Sequence, residues 1–511
     1  MVLAIIFLVI FAVCTGISIY KSVTLVKSPM IEVDYASFIK KNALFVAGAA
    51  VAFLVAAFGL AMWANATLDF LHGFQLAVGS LLFSASLFLA INCFIIHYYG
   101  RNIPEKLDKW LFRLNIIGFC LAVVMFFIFT NGLAPYISYP IINGISFTKG
   151  FVRPDSGDSP NIAFYALCIL GGAILVYFLC DHYMYKEYGE HGILESTFFV
   201  AFPAGIIGAR IAYVIGNWSK EFAGQPFWHV FAIWEGGITI LGGAIGGIVV
   251  GALWYMWRNK DKSIWIPFDI VLPAILIAQA IGRWGNFFNC EVHGLAVSIE
   301  NWKWLPEIIW RNGQYSSTAG SLVDANQMYV PLFFIECVVN LLGYFVLAHV
   351  FGRALRKYTE IGDIGFGYII WYGMTRVLME PLRSADYQMG QDGYWSWVWS
   401  MIFVVVGTLL IVLNHIIRSA IRKSKGAYNV KENDKKVGLI STVVIALVAI
   451  GLIVAGALLM TSNQFVAEVT YNSFNVGLIL LILGVSSFLC LGISIKKLLF
   501  ALKSKKPVIN E

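Results

Sequence analysis

The chain reads as an all-α polytopic membrane protein, and three observations carry that reading. Apolar and aromatic residues make up 59% of its 511 positions and charged residues only 13%, where an ordinary soluble domain is about 25% charged. The apolar runs recur roughly every 30 residues, and a bilayer span needs about 20. They are continuous and do not alternate, so helices and not a barrel must satisfy the backbone in hydrocarbon. A soluble globular enzyme is excluded. Nucleic-acid binding is excluded as well, because the 36 Lys and Arg behind the formal charge of +7 are scattered without a basic stripe.

In chain order the apolar segments fall near 3–20, 43–65, 74–98, 112–131, 161–182, 195–216, 233–257, 267–288, 330–350, 363–382, 394–417, 437–461 and 475–495, which predicts about thirteen transmembrane helices. The first lacks the basic flank of a secretory signal and is long enough to be retained as a span. The eight cysteines form no CxxC pair and mostly sit in apolar runs. There they behave as small hydrophobes, and neither a disulfide framework nor a metal site is expected.

Orientation follows from the basic residues of alternate loops. One set of loops carries 27 Lys and Arg, the other only Lys149, Arg153, Lys220, Lys303, Arg311 and Arg383. With thirteen spans this predicts an external N-terminus and a cytoplasmic C-terminus. The three basic residues left over, Arg210, Arg283 and Arg376, lie within predicted helices.

An arginine at a helix centre costs at least about 2.5–3.5 kcal/mol by insertion scales. A structural reading pairs each with a carboxylate such as Glu380 or Glu336. A functional reading has them face a cavity, and the spacing favours it. Arg210, Tyr213 and Asn217 share one helix face; Gln279, Arg283 and Asn286 share another; Tyr372, Arg376 and Glu380 stand four apart on a third. Three polar faces imply one shared polar pocket. Converging guanidinium groups favour a planar, multidentate anion, and at that depth a lipid phosphate is the one at hand. The glycines at 242, 243, 246, 247 and 251 form a flat strip in two GxxxG frames, read first as a packing seam. Where the helix near 267–288 ends, residues 282–294 gather three Gly, two Asn, an Arg, a Glu and a His.

That stretch resembles the signature of the prolipoprotein diacylglyceryl transferase family, G-R-x-G-N-F-x-N-x-E-x-x-G, at Gly282, Arg283, Gly285, Asn286, Phe287, Asn289, Glu291 and Gly294. Further matches keep the family's order: Phe164-Tyr165, Gly208-Ala209-Arg210 with Tyr213, Trp234-Glu235-Gly236-Gly237, and Tyr372 with Arg376, Glu380 and Arg383. The resemblance covers about 160–425 and implies a seven-helix core. It leaves residues 1–150 as a four-helix extension and 437–500 as a two-helix extension. One departure stands out: many members carry His-Gly-Gly-Leu after the Trp-Asp/Glu-Gly-Gly run, and this chain has Leu241-Gly242-Gly243-Ala244. His293 is a candidate substitute for the absent imidazole.

The resemblance implies transfer of the diacylglyceryl group of phosphatidylglycerol to the lipobox cysteine of a prolipoprotein signal peptide, at the bilayer and without a cofactor. The expected catalytic residues are Arg283, Arg376, Glu291, Tyr165 and Tyr372. Those expected to bind the lipid are Arg283, Arg376, Arg210, Asn286, Asn289, Gly294, Glu380, Tyr213 and Arg383. The chief alternative is a membrane lipid or anion transporter, which also places ionisable residues at mid-depth. No second copy of the 282–294 pattern supports it. The external loop from 289 to 329, with Trp302, Trp304, Trp310 and Tyr315, suits an interfacial belt or a surface that receives a signal peptide.

Overall fold

The computed structural model describes residues 2–27, 35–63, 70–99, 105–134, 145–146, 161–162, 164–231, 237, 239–317, 320–356, 359–384, 394–424, 433–461 and 473–503. Among them the thirteen apolar segments form long helices: α1 (Val2–Lys27), α2 (Tyr35–Trp63), α3 (Phe70–Tyr99), α4 (Glu105–Leu133), α5 (Phe164–Tyr188), α6 (Glu195–Asn217), α7 (Ile240–Arg258) and α8 (Trp265–Asn289). After the short α9 (Glu307–Asn312) come α10 (Leu332–Tyr344), α11 (Asp363–Met379), α12 (Tyr394–Ser424), α13 (Asn433–Met460) and α14 (Ser473–Lys503). Among the described residues, ten helices are long and apolar enough to cross a membrane. The strands are two- and three-residue pieces in two-stranded pairs, so the protein is an all-α polytopic membrane protein.

The chain divides into two compact units. The first joins residues 1–142 to the segment 296–331. Lipid tails are as apolar as the side chains facing them, so association of α1–α4 rests on close packing and interhelical hydrogen bonds. Gly79 and Gly132 let α3 and α4 touch backbone to backbone: a Cβ on Gly132 would stand 2.5 Å from the Leu76 nitrogen. Asn92 ties three helices together, meeting Ser18 and Ser22 of α1 and the Asn42 amide of α2. The segment 296–331 folds on itself. Residues 296–298 pair antiparallel with 327–329, and Ile309 and Met328 are fully enclosed.

The second unit holds residues 143–295 and 332–511. Here the glycine strip of α7 lies against α6. A Cβ on Gly208 would stand 2.6 Å from the Gly242 carbonyl oxygen, and one on Gly242 would stand 2.5 Å from the Gly208 oxygen. The strip is therefore a packing seam. Helix α8 lies between α5 and α10, where Trp284 and Phe287 pack on Phe333. Trp397 of α12 is fully buried among Val377, Met401 and Ile479, which seats α14 against α12 beside α11.

Candidate active site

The second unit brings α8, α10 and α11 together around an alternating row of charges. Arg283 on α8 pairs through Nε with Glu336 of α10. The other oxygen of Glu336 takes Arg383 Nη2 at 2.9 Å. Arg383 Nε lies 3.8 Å from Glu380, and Glu380 lies 3.2 Å from Arg376 Nη2. The order is Arg283, Glu336, Arg383, Glu380, Arg376: three guanidinium groups share two carboxylates, so the row itself carries one more positive charge than negative.

Accessibility sorts these five. The side chains of Glu336, Glu380 and Arg383 are 2%, 1% and 6% exposed, whereas the terminal arginines, Arg283 and Arg376, keep 24% and 15%. Buried carboxylates hold the guanidinium groups in place, and the surplus charge is presented by the two ends. A buried charge left without its partner would cost several kcal/mol, so the row is interdependent. Arg376 also reaches Ser396 Oγ of α12, at 3.4 Å.

Beside Arg283 the helix ends in the signature loop. Cys290 takes a left-handed conformation (φ 50°) that closes α8, its amide returning to Asn286 and Phe287. Val292 follows at φ 54°, a backbone region that β-branched residues adopt only under constraint. The constraint is visible on both sides. Asn286 and Asn289 donate their amides to Oε1 of Glu291 at 3.1 and 2.7 Å. Gly294 forms a bridge with Arg383, and the Ser384 amide donates to the His293 carbonyl. The loop that carries Glu291 is thus pinned to the residues that carry the arginine row. His293 is tied into the same bridge, its Nδ1 3.0 Å from the Gly294 carbonyl oxygen.

Tyr165, at the start of α5, packs on Gly285. A Cβ at that glycine would stand 2.3 Å from the ring. Gly285 stands two residues after Arg283 on α8. Tyr372 sits one turn before Arg376 and stacks on Tyr368, whose hydroxyl accepts from Gln279 at 3.0 Å.

Arg210 departs from the expected shared pocket. Its Nε donates to Val230 O at 2.8 Å, Nη1 to Gly237 O at 2.9 Å and Nη2 to His229 O at 2.6 Å. Tyr213 beside it hydrogen-bonds both oxygens of Glu221 and packs on Gly237, whose φ is 70°. This pair fastens the connection between α6 and α7. Trp234, Glu235 and Gly236 lie outside the described residues, as does the side chain of Leu241. Two members of the row were not singled out for their place in it. Arg383, expected to bind the lipid, stands instead at its centre between Glu336 and Glu380, and Glu336 is expected from sequence only as a possible ion-pair partner.

Residues 158–413 match the family described as prolipoprotein diacylglyceryl transferase. The chain belongs to that family. Among its relatives is a phosphatidylglycerol–prolipoprotein diacylglyceryl transferase of Streptococcus suis (strain 05ZYH33), 37% identical over 259 residues, 49% of this chain and 88% of that protein. The enzyme of the same name from Lactococcus lactis subsp. cremoris (strain MG1363) is 34% identical over 262 residues, 50% of this chain and 91% of its own length. That from Streptococcus pneumoniae (strain ATCC 700669 / Spain 23F-1) is 33% identical over 281 residues, 54% and 95%. The arginine row, the signature loop and Tyr165 all fall within the family match, and α1–α4, α13 and α14 fall outside it.

Proposed function

We propose that the chain transfers the diacylglyceryl group of phosphatidylglycerol to the lipobox cysteine of prolipoproteins, the first step of their maturation. The observation that carries this reading is the row that ends in Arg283 and Arg376, with Glu291 alongside. The cysteine sulfur attacks the glycerol carbon that bears the phosphate ester. A carbon–sulfur bond forms as the carbon–oxygen bond breaks, and the electron pair leaves on glycerol 1-phosphate. The thiol proton passes to water or a basic group of the site.

Negative charge grows on the departing phosphate, so cations fixed beside it stabilise the transition state more than the ground state. Arg283 and Arg376 take that task. Glu336, Glu380 and Arg383 hold them there. Both asparagine amides of the signature loop use Oε1 of Glu291, leaving Oε2 to accept a glycerol hydroxyl; Tyr165 and Tyr372 donate to the headgroup. Arg210 and Tyr213 act by positioning the α6–α7 connection. A free thiol has a pKa of about 8.5 and is a few per cent ionised near pH 7, so the field of the arginines suffices without the imidazole that Leu241 replaces.

The transferase core spans 160–425, with 1–150 and 437–500 as appended membrane segments. The distribution of basic residues supports a cell-membrane protein with its N-terminus outside and its C-terminus in the cytoplasm. The test incubates purified protein with phosphatidylglycerol and a lipobox peptide and weighs the peptide by mass spectrometry. A diacylglyceryl adduct on cysteine is expected; an unchanged peptide would overturn the assignment.

A further inference from the structure

The four N-terminal helices lie outside the family match, and the structure shows what they hold. They form one compact unit with the external segment 296–331, which belongs to the family-matched region. A specific contact joins the two. Oδ1 of Asn131, in the last turn of α4, accepts the backbone N–H of Glu307 at 2.8 Å, across 176 residues of sequence. Glu307 is the first residue of α9, whose opening N–H groups have no partner within the helix. A side chain of the N-terminal bundle therefore caps a helix of the external segment.

That segment is a folded piece. The 296–298 and 327–329 strands pair, the Tyr329 amide donates to Gly313 O at 2.8 Å, and Leu305 and Ile309 are buried. One stem runs back two residues to Gly294 and, three more, to Glu291. The other runs through Pro331 into α10, which carries Glu336. We infer that the N-terminal helices are a positioning device for the transferase: through the Asn131 cap they hold the external segment in the form that receives the precursor peptide. This inference rests on the transferase reading for its kinetic consequence, but the cap itself can be read without activity.

The test uses the full chain in lipid nanodiscs with two independent variants. Asn131→Leu removes the acceptor and Asn131→Asp restores one. Glu307→Pro removes the donor, at a first-turn position where proline is well tolerated and after a Pro306 already extended (φ −51°, ψ 141°). Glu307→Ala keeps the N–H and controls for the Glu307–Arg311 ion pair. Hydrogen exchange of residues 305–314 reads the docking, and KM for a lipobox peptide reads its consequence. Loss of the cap is expected to speed exchange about five-fold, the usual worth of a cap. KM should rise several-fold with kcat within about two-fold. Asn131→Asp and Glu307→Ala should stay near the parent. Unchanged exchange in Asn131→Leu and Glu307→Pro would overturn the cap, and faster exchange with unchanged KM would overturn its role in receiving the peptide. A parent that shows the exchange pattern but transfers no lipid would sink the transferase reading and leave the docking intact.

Discussion

Glu336→Gln is the most informative single change in the row. The carboxylate pairs with Arg283 through one oxygen and accepts from Arg383 at 2.9 Å through the other, and is 2% exposed. Glutamine has nearly the same shape, but only one of its two ends accepts. The other presents an NH2 group to a guanidinium. At least one charge-assisted bond is lost, worth about 1.5–3 kcal/mol, and the row's charge imbalance grows from one positive charge to two. If that bond serves to fix Arg283 against the leaving phosphate, kcat/KM should fall about 10- to 150-fold, chiefly in kcat. Transfer to a lipobox peptide is followed by mass spectrometry in parent, Glu336→Gln and Glu336→Asp; the aspartate keeps the charge on a shorter arm and should recover part of the loss. A Glu336→Gln enzyme that folds and turns over within two-fold of the parent would refute the view that this carboxylate organises the site.

Other expectations follow from the same geometry. Arg283→Ala and Arg376→Ala should each lower kcat about 10²- to 10³-fold, the usual effect of removing a transition-state donor, measured in the same assay; parent-level rates would exclude them from leaving-group stabilisation. Gly285→Ala drives a methyl group into the Tyr165 ring and should lower the thermal unfolding midpoint, overpacking costing about 1–3 kcal/mol. Gly282→Ala meets open space at its Cβ and should leave that midpoint unchanged. Leu241→His should change turnover little, since the arginines already favour the thiolate; a large gain would show that a base is needed.

Much of the fold was legible in the sequence because the bilayer imposes long apolar runs, and thirteen of them became thirteen long helices. The signature loop was legible as well, since the sequence holds no second copy of its pattern of Gly, Asn and charged residues at the end of an apolar run. Partnership was less so. Periodicity placed Arg210 on a polar face with Tyr213 and Asn217, and that face exists. Its guanidinium partners, however, are carbonyls at 229, 230 and 237, and carbonyl positions leave no trace in side-chain spacing. Glu336 had a readable signal, a lone carboxylate in the apolar run 330–350, within a chain holding three embedded arginines. Arg383 was legible through the family resemblance, but its burial between two carboxylates was not, because just past the end of a span a loop position and a buried one look alike. The Asn131 contact had no signal, because one asparagine at a helix end is ordinary.

The central claim is that the two ends of the arginine row hold the phosphate that departs. The most direct measurement is an experimental structure of the full chain with phosphatidylglycerol bound. Phosphate oxygens within about 3 Å of the Arg283 and Arg376 guanidinium groups, with Glu291 at the glycerol headgroup, is the expected result. A headgroup bound elsewhere, with both arginines facing only Glu336 and Glu380, would contradict it.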